Sequence, residues 1–92
     1  MTLFRGDTVS RYYYFRDKAQ ALFDPDSTTC EIFGPDGVSV ETVVLTQVSQ
    51  GKYEMNYNIP DDAVYGVWKI VVTGVKGAYQ NAELFEFEVR EE

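Results

Sequence analysis

Large apolar and polar residues alternate along most of this chain, most strictly over residues 51–72. Tyr53, Met55, Tyr57 and Ile59 alternate with Glu54, Asn56 and Asn58. After Pro60-Asp61-Asp62 the pattern resumes, with Trp68, Ile70 and Val72 alternating with Val67, Lys69 and Val71. A period of two places one set on each face of a β-strand. The stretch predicts two strands joined by an acidic loop, a hairpin-like pair whose Tyr53, Met55, Tyr57, Trp68 and Ile70 face inward.

The same reading extends to both ends. Residues 2–5 suit a short edge strand, and Arg5-Gly6-Asp7 a turn. That tripeptide also spells a cell-adhesion motif, but three residues recur by chance. Residues 8–15 are rich in β-formers. Val9, Tyr13 and Phe15 are expected inward, with the Arg11 stem along the edge and its head in water. Tyr12 and Tyr14 then face out, as an interaction surface unless a loop covers them. Residues 16–27 read as a loop, with at most one helical turn at residues 19–22, and Asp24-Pro25 starts a turn.

Residues 28–33 predict a strand with Cys30 and Ile32 on one face. Gly34-Pro35-Asp36-Gly37 is a tight turn. Residues 38–42 continue a hairpin, and residues 43–49 form a strand whose register the pattern leaves open. Residues 74–81 read as a hairpin loop with two glycines. The last strand spans residues 82–89, with Phe85, Phe87 and Val89 inward. Arg90-Glu91-Glu92 is expected to fray. About seven short strands at even spacing predict an all-β, immunoglobulin-like antiparallel β-sandwich, with a small closed barrel as the alternative. The expected core anchors are Tyr53, Tyr57, Trp68, Ile70, Phe85 and Phe87.

Composition narrows the function more than the fold. Ninety-two residues are the length of one domain, residues 1–92. Fifteen acids against eight bases give a net charge of −7, which disfavours nucleic acid and anionic membranes as partners. No run approaches the roughly 20 apolar residues of a membrane span, and the start at Met1 lacks a signal-peptide core. Cytoplasmic synthesis is expected if Met1 is the native start, and not if the chain is a piece of an exported protein. Localisation therefore stays open.

Histidine is absent and Cys30 is the single cysteine. That removes a disulfide, a His/Cys zinc site, a Ser-His-Asp triad and a Cys-His dyad. Cys30 reads as a small core residue, and Trp68 as a core anchor instead of a stacking platform. The pairs Asp24 with Asp26, Asp61 with Asp62 and Glu86 with Glu88 imply no apolar pocket of the kind that tunes a catalytic carboxylate. The expectation is no enzyme and no cofactor. Asp24, Asp26, Asp36, Asp61 and Asp62 fall in predicted loops and are the candidate ligands of a weak Ca²⁺ site, although the dedicated loop spacing is missing.

Seven motifs occur in order: Gly6-Asp7-Thr8-Val9, Asp24-Pro25, Pro35-Asp36-Gly37, Ser49-Gln50-Gly51-Lys52-Tyr53, Pro60-Asp61-Asp62, Gly66-Val67-Trp68 and Phe87-Glu88-Val89. Together they resemble a small prokaryotic or phage immunoglobulin-like module. The resemblance implies a structural or assembly protein, a small phage or prophage virion component in the head or tail. Its alternative is a binding module of a prokaryotic cell-surface protein that recognises protein or carbohydrate. In either setting the implied partner is protein, a second copy or another subunit, and the family has no catalytic residues to carry over. The run Tyr12-Tyr13-Tyr14 and the position of Cys30 depart from the family's pattern.

Overall fold

The computed structural model describes residues 2–91. Among them are eight strands: β1 (Thr2–Leu3), β2 (Thr8–Tyr14), β3 (Ser27–Phe33), β4 (Ser39–Thr42), β5 (Thr46–Ser49), β6 (Lys52–Asn58), β7 (Gly66–Lys76) and β8 (Tyr79–Val89). They form a five-stranded sheet in the order β1-β8-β7-β3-β4 and a three-stranded sheet in the order β2-β6-β5. The fold is the expected all-β, immunoglobulin-like sandwich. One pair departs from the antiparallel expectation. β1 runs parallel to β8, with Thr2 beside Glu88 and Leu3 beside Val89.

The strands of residues 51–72 are not a hairpin. β6 pairs with β2 and β5, while β7 pairs with β3 and β8. Residues 59–65 carry the chain from one sheet to the other, and Ile59 and Ala63 are buried on the way. The two alternating strands therefore face each other across the core. Alternation fixes which side chains face in, and says nothing of which strand lies alongside.

The core is the sum of the two inner faces. Val9, Tyr13, Met55 and Tyr57 from one sheet, with Ile59 just beyond β6, meet Cys30, Ile32, Trp68, Ile70, Val72, Phe87 and Val89 from the other. Burying each of the larger side chains contributes about 1.5–3 kcal/mol. Trp68 and Phe87 are register partners and stack at 6.1 Å between ring centroids. The indole Nε1 of Trp68 donates to the Val64 carbonyl at 2.8 Å, so burial leaves its polar atom paired. At the other end Phe15 meets Tyr53 at 5.3 Å and Phe23 at 6.3 Å, both edge-on.

Several local expectations are corrected. Residues 74–81 are mostly strand, because β7 and β8 run eleven residues each and turn at Gly77 and Ala78 alone. Gly77 has a φ of 58°, the sign a two-residue type II′ turn needs at its first position. Residues 19–22 form no helical turn; Asp17 Oδ1 accepts from the Ala19 and Ala21 N–H groups and ties a tight loop. The strand expected over residues 43–49 is split. Val43 N–H donates to the Cys30 carbonyl at 2.8 Å, Leu45 is buried, and β5 starts only at Thr46 in the other sheet. Arg90 is tethered, its N–H donating to the Leu3 carbonyl and its Nε to Glu88 Oε1. Glu92, the end of that expected frayed tail, and Met1, on which the localisation expectation rested, lie outside the described residues.

Candidate functional site

Tyr12 and Tyr14 stand on the outer face of β2, one edge of the three-stranded sheet, with exposures of 50% and 46%. Register places Tyr12 beside Glu54 and Tyr14 beside Lys52 on β6. The Lys52 ammonium lies 4.4 Å from the Tyr12 ring centre and 5.8 Å from that of Tyr14. Arg16, held by a bond from Nη1 to the Gln20 carbonyl at 3.0 Å, reaches 5.9 Å from Tyr14. Cations over exposed aromatic faces contribute about 0.5–1 kcal/mol each. The result is an aromatic, basic patch on an acidic protein.

The same strand sends Arg11 inward. Its guanidinium sits 3.8 Å over the Phe85 ring, and its Nε is buried without a hydrogen-bond partner among the described residues. The head expected in water is therefore packed against β8. Phe85, expected as a core anchor, is only partly buried and packs against the margin of the core, with that cation over one face of its ring. The other expected anchors, Tyr53, Tyr57, Trp68, Ile70 and Phe87, all lie in the core cluster.

The ionisable groups of the core are displaced from reactivity. Burial pushes the Cys30 thiol up to about 11, so almost no thiolate exists near neutral pH. Burial, then the nearby Cys30, pushes Tyr13 up to about 12. Burial also raises Tyr53, helped by Asp24, and Tyr57, helped by Glu41. The loop aspartates act on backbone. Asp24 Oδ1 accepts from Gly51 N–H and Gln47 Nε2, both at 2.8 Å. Asp26 Oδ2 accepts from Gly77 N–H, and Asp36 Oδ1 from Val38 N–H. Asp61 and Asp62 are exposed in the loop between sheets. Among the described residues no three acidic or thiol side chains gather as metal ligands.

Asp24 holds the turn that presents Tyr14. Its partner Gly51 has a φ of 70°, and a Cβ there would lie 2.8 Å from Leu22 Cβ. The Gly51 carbonyl accepts from Phe15 N–H at 2.8 Å. One carboxylate thus fastens the residue 16–24 loop to the β5–β6 turn beneath the tyrosines.

A second feature has no signal in the sequence. A cleft of about 380 Å³ opens between the β3–β4 turn and the loop before β7, lined by Pro35, Asp36, Val38, Val40, Val64 and Trp68 among others. Its residues come from two stretches, 34–40 and 64–68, that local alternation cannot bring together.

This geometry defines an immunoglobulin-like domain, a class that acts as protein-interaction or structural modules. The chain belongs to the MG2 domain family, whose model matches residues 2–89. MG2 domains are found in alpha-2-macroglobulin-like proteins, and the MG2 and filamin families are typically non-catalytic. In backbone the chain is similar to the filamin domain of Lin-41, with a TM-score of 0.65 and 19% identity over 99% of this chain and 84% of that one. It is also similar to a DUF4785 family protein from Legionella pneumophila, with a TM-score of 0.68 and 12% identity over 95% of this chain. There it spans 25% of a longer chain. At these identities the likeness shows the fold alone. No curated protein matches the chain.

Proposed function

We propose that this chain is a non-catalytic protein-interaction module folded as one domain, and that the Tyr12 and Tyr14 face is its contact surface. The observation that carries the reading is the pair of half-exposed tyrosines on a sheet edge, backed by Lys52 and Arg16. Tyrosine and arginine are enriched at protein interfaces, where an amphipathic ring offers area at little entropic cost. A face assembled from β-sheet positions is also stiffer than one on a loop.

The MG2 match supports placing the module within a larger multidomain or surface protein, since such domains occur in alpha-2-macroglobulin-like chains. The alternative setting, a phage or prophage virion subunit, draws on the sequence resemblance alone. Neighbouring genes discriminate: capsid and tail genes favour the particle, and a long exported reading frame favours the surface protein.

The test is a photo-crosslinking residue at position 12 in the native host, with Tyr14→Ser as the control. A discrete protein adduct that Tyr14→Ser abolishes is expected. The Tyr12→Ser, Tyr14→Ser double variant should fold with stability within about 1 kcal/mol of the parent, as exposed positions do. A folded protein that yields no discrete adduct sinks the reading, and so does failure of the double variant to fold, which would make those rings structural.

A further inference from the structure

The three-stranded sheet is narrower than the sheet it covers. β5 pairs only with Lys52, Tyr53 and Glu54 of β6. Residues 55–58 of β6 have β2 on one side and, among the described residues, no strand on the other. The cleft of about 380 Å³ opens between the β3–β4 turn and the loop that leaves β6, with Ser39 and Val40 of β4 in its wall. Its apolar walls are unusually bare: Val38 is 62%, Val40 53% and Val64 63% exposed. Trp68 lines it at the base of β7.

β4 is the edge of its sheet, and all four of its residues are exposed. Its pairing with β3 passes from Glu41 to Ser39 and skips Val40, a bulge that turns this valine out of the ladder. The surroundings are acidic. Asp36 lines the cleft, Glu41 follows on β4, and Asp61 and Asp62 precede Val64 in the facing loop. Among the described lining residues there is no cation. Arg5, which reaches that loop, is already held by the Ala63 carbonyl at 2.8 Å and stacked 4.2 Å over Tyr65.

We propose that the cleft receives an extended cationic segment of another protein, which runs along the β3–β4 turn and seats one apolar side chain against Trp68, Val40 and Val64. The volume suits this, since apolar recognition sites span roughly 300–1,000 Å³. Lysine or arginine on either side of the apolar residue meets Asp36, Glu41, Asp61 and Asp62. A second copy suits it less, because each copy carries a net charge of −7 and brings like charge to the same place. The site lies at the Asn58 end of β6 and the tyrosine face at the Lys52 end, so the two surfaces stand or fall separately.

The probe is a labelled peptide alternating lysine and threonine around one central phenylalanine. Binding is followed by fluorescence anisotropy and by amide and indole NMR shifts on the intact protein. Saturable binding is expected, with shifts confined to residues 34–40, Val64 and Trp68, its indole N–H included. Affinity should fall about tenfold, roughly 1.4 kcal/mol, in the Val40→Ser, Val64→Ser variant, and should weaken with salt. Val44→Ser, at a valine 86% exposed outside the cleft, should leave binding unchanged. The proposal is overturned if a peptide with serine for the phenylalanine, or glutamate for the lysines, binds equally well. It is also overturned if the shifts map elsewhere, if Val44→Ser weakens binding as much, or if the cleft instead mediates a self-association that the double variant abolishes.

Discussion

Gly74→Ala tests how closely the two sheets approach at the aromatic end. Gly74 is buried in the interior of β7, beside Thr28 and Asn81. A methyl there would sit 2.6 Å from Phe15 Cε1 and 2.7 Å from Cδ1, far inside the 3.5–4.0 Å of ordinary carbon contact. The ring has little room to retreat. Phe15 is 3% exposed and is gripped edge-on by Phe23 and Tyr53. Overpacking of this kind costs about 1–3 kcal/mol. Because Gly74 is not among the positive-φ glycines, alanine can adopt its backbone and regains about 0.4–1 kcal/mol through the unfolded chain. The net expectation is a loss of about 1–2 kcal/mol, or about 5–15 °C in Tm for a domain of this size. Urea unfolding at fixed pH measures it. Phe15→Leu provides the internal control, since it vacates the space the methyl needs. In that background Gly74→Ala should be neutral or stabilising. A cost below about 0.5 kcal/mol, or an equal cost in both backgrounds, refutes the close-approach argument.

Two further expectations concern the core. Trp68→Ala removes a side chain 3% exposed, stacked on Phe87 and bonded to the Val64 carbonyl; equilibrium unfolding should show a loss of about 3–5 kcal/mol, and a loss below about 1 kcal/mol would place the indole at the surface. The Cys30 thiol is raised from 9.0 to about 11 and the Tyr13 hydroxyl from 10.0 to about 12, in both cases chiefly by burial. The native state therefore keeps protons that the unfolded chain gives up. Stability from these groups is fully present below about pH 9 and should fall between about pH 9 and 12; a urea midpoint that stays flat or rises across that window contradicts the assignment.

Strand faces were legible in the sequence because side-chain direction is set locally. The parity that turns Val9, Tyr13 and Phe15 inward and leaves Tyr12 and Tyr14 exposed follows from a period of two. Strand partners were not legible, since β6 finds its neighbour β2 far upstream (Tyr57 beside Val9, 48 residues apart) and nothing local encodes the pairing. Glycine misled in one place. Gly74 reads as a loop breaker, whereas it serves as the gap that admits the Phe15 ring. Asp24 reads as a turn former, and only the fold shows that it reaches across to Gly51. Of the candidate surfaces, the tyrosines were visible as an aromatic run, but their cations Lys52 and Arg16 are brought in by pairing and loop closure. The valine cleft depends wholly on tertiary assembly.

Arg11 has a consequence for how this protein behaves in a crowd of its own kind. A seven-residue edge strand rich in tyrosine is a template on which identical chains can stack without end. An inward-pointing charge is one of the devices by which natural sheets discourage such stacking. In a symmetric antiparallel pairing of two β2 strands, Arg11 is the central residue of Thr8–Tyr14 and would face its own twin. Like charges opposite each other repel. The buried Nε, unpartnered among the described residues, carries a desolvation cost, and the same inward charge is expected to disfavour edge-to-edge pairing of two copies.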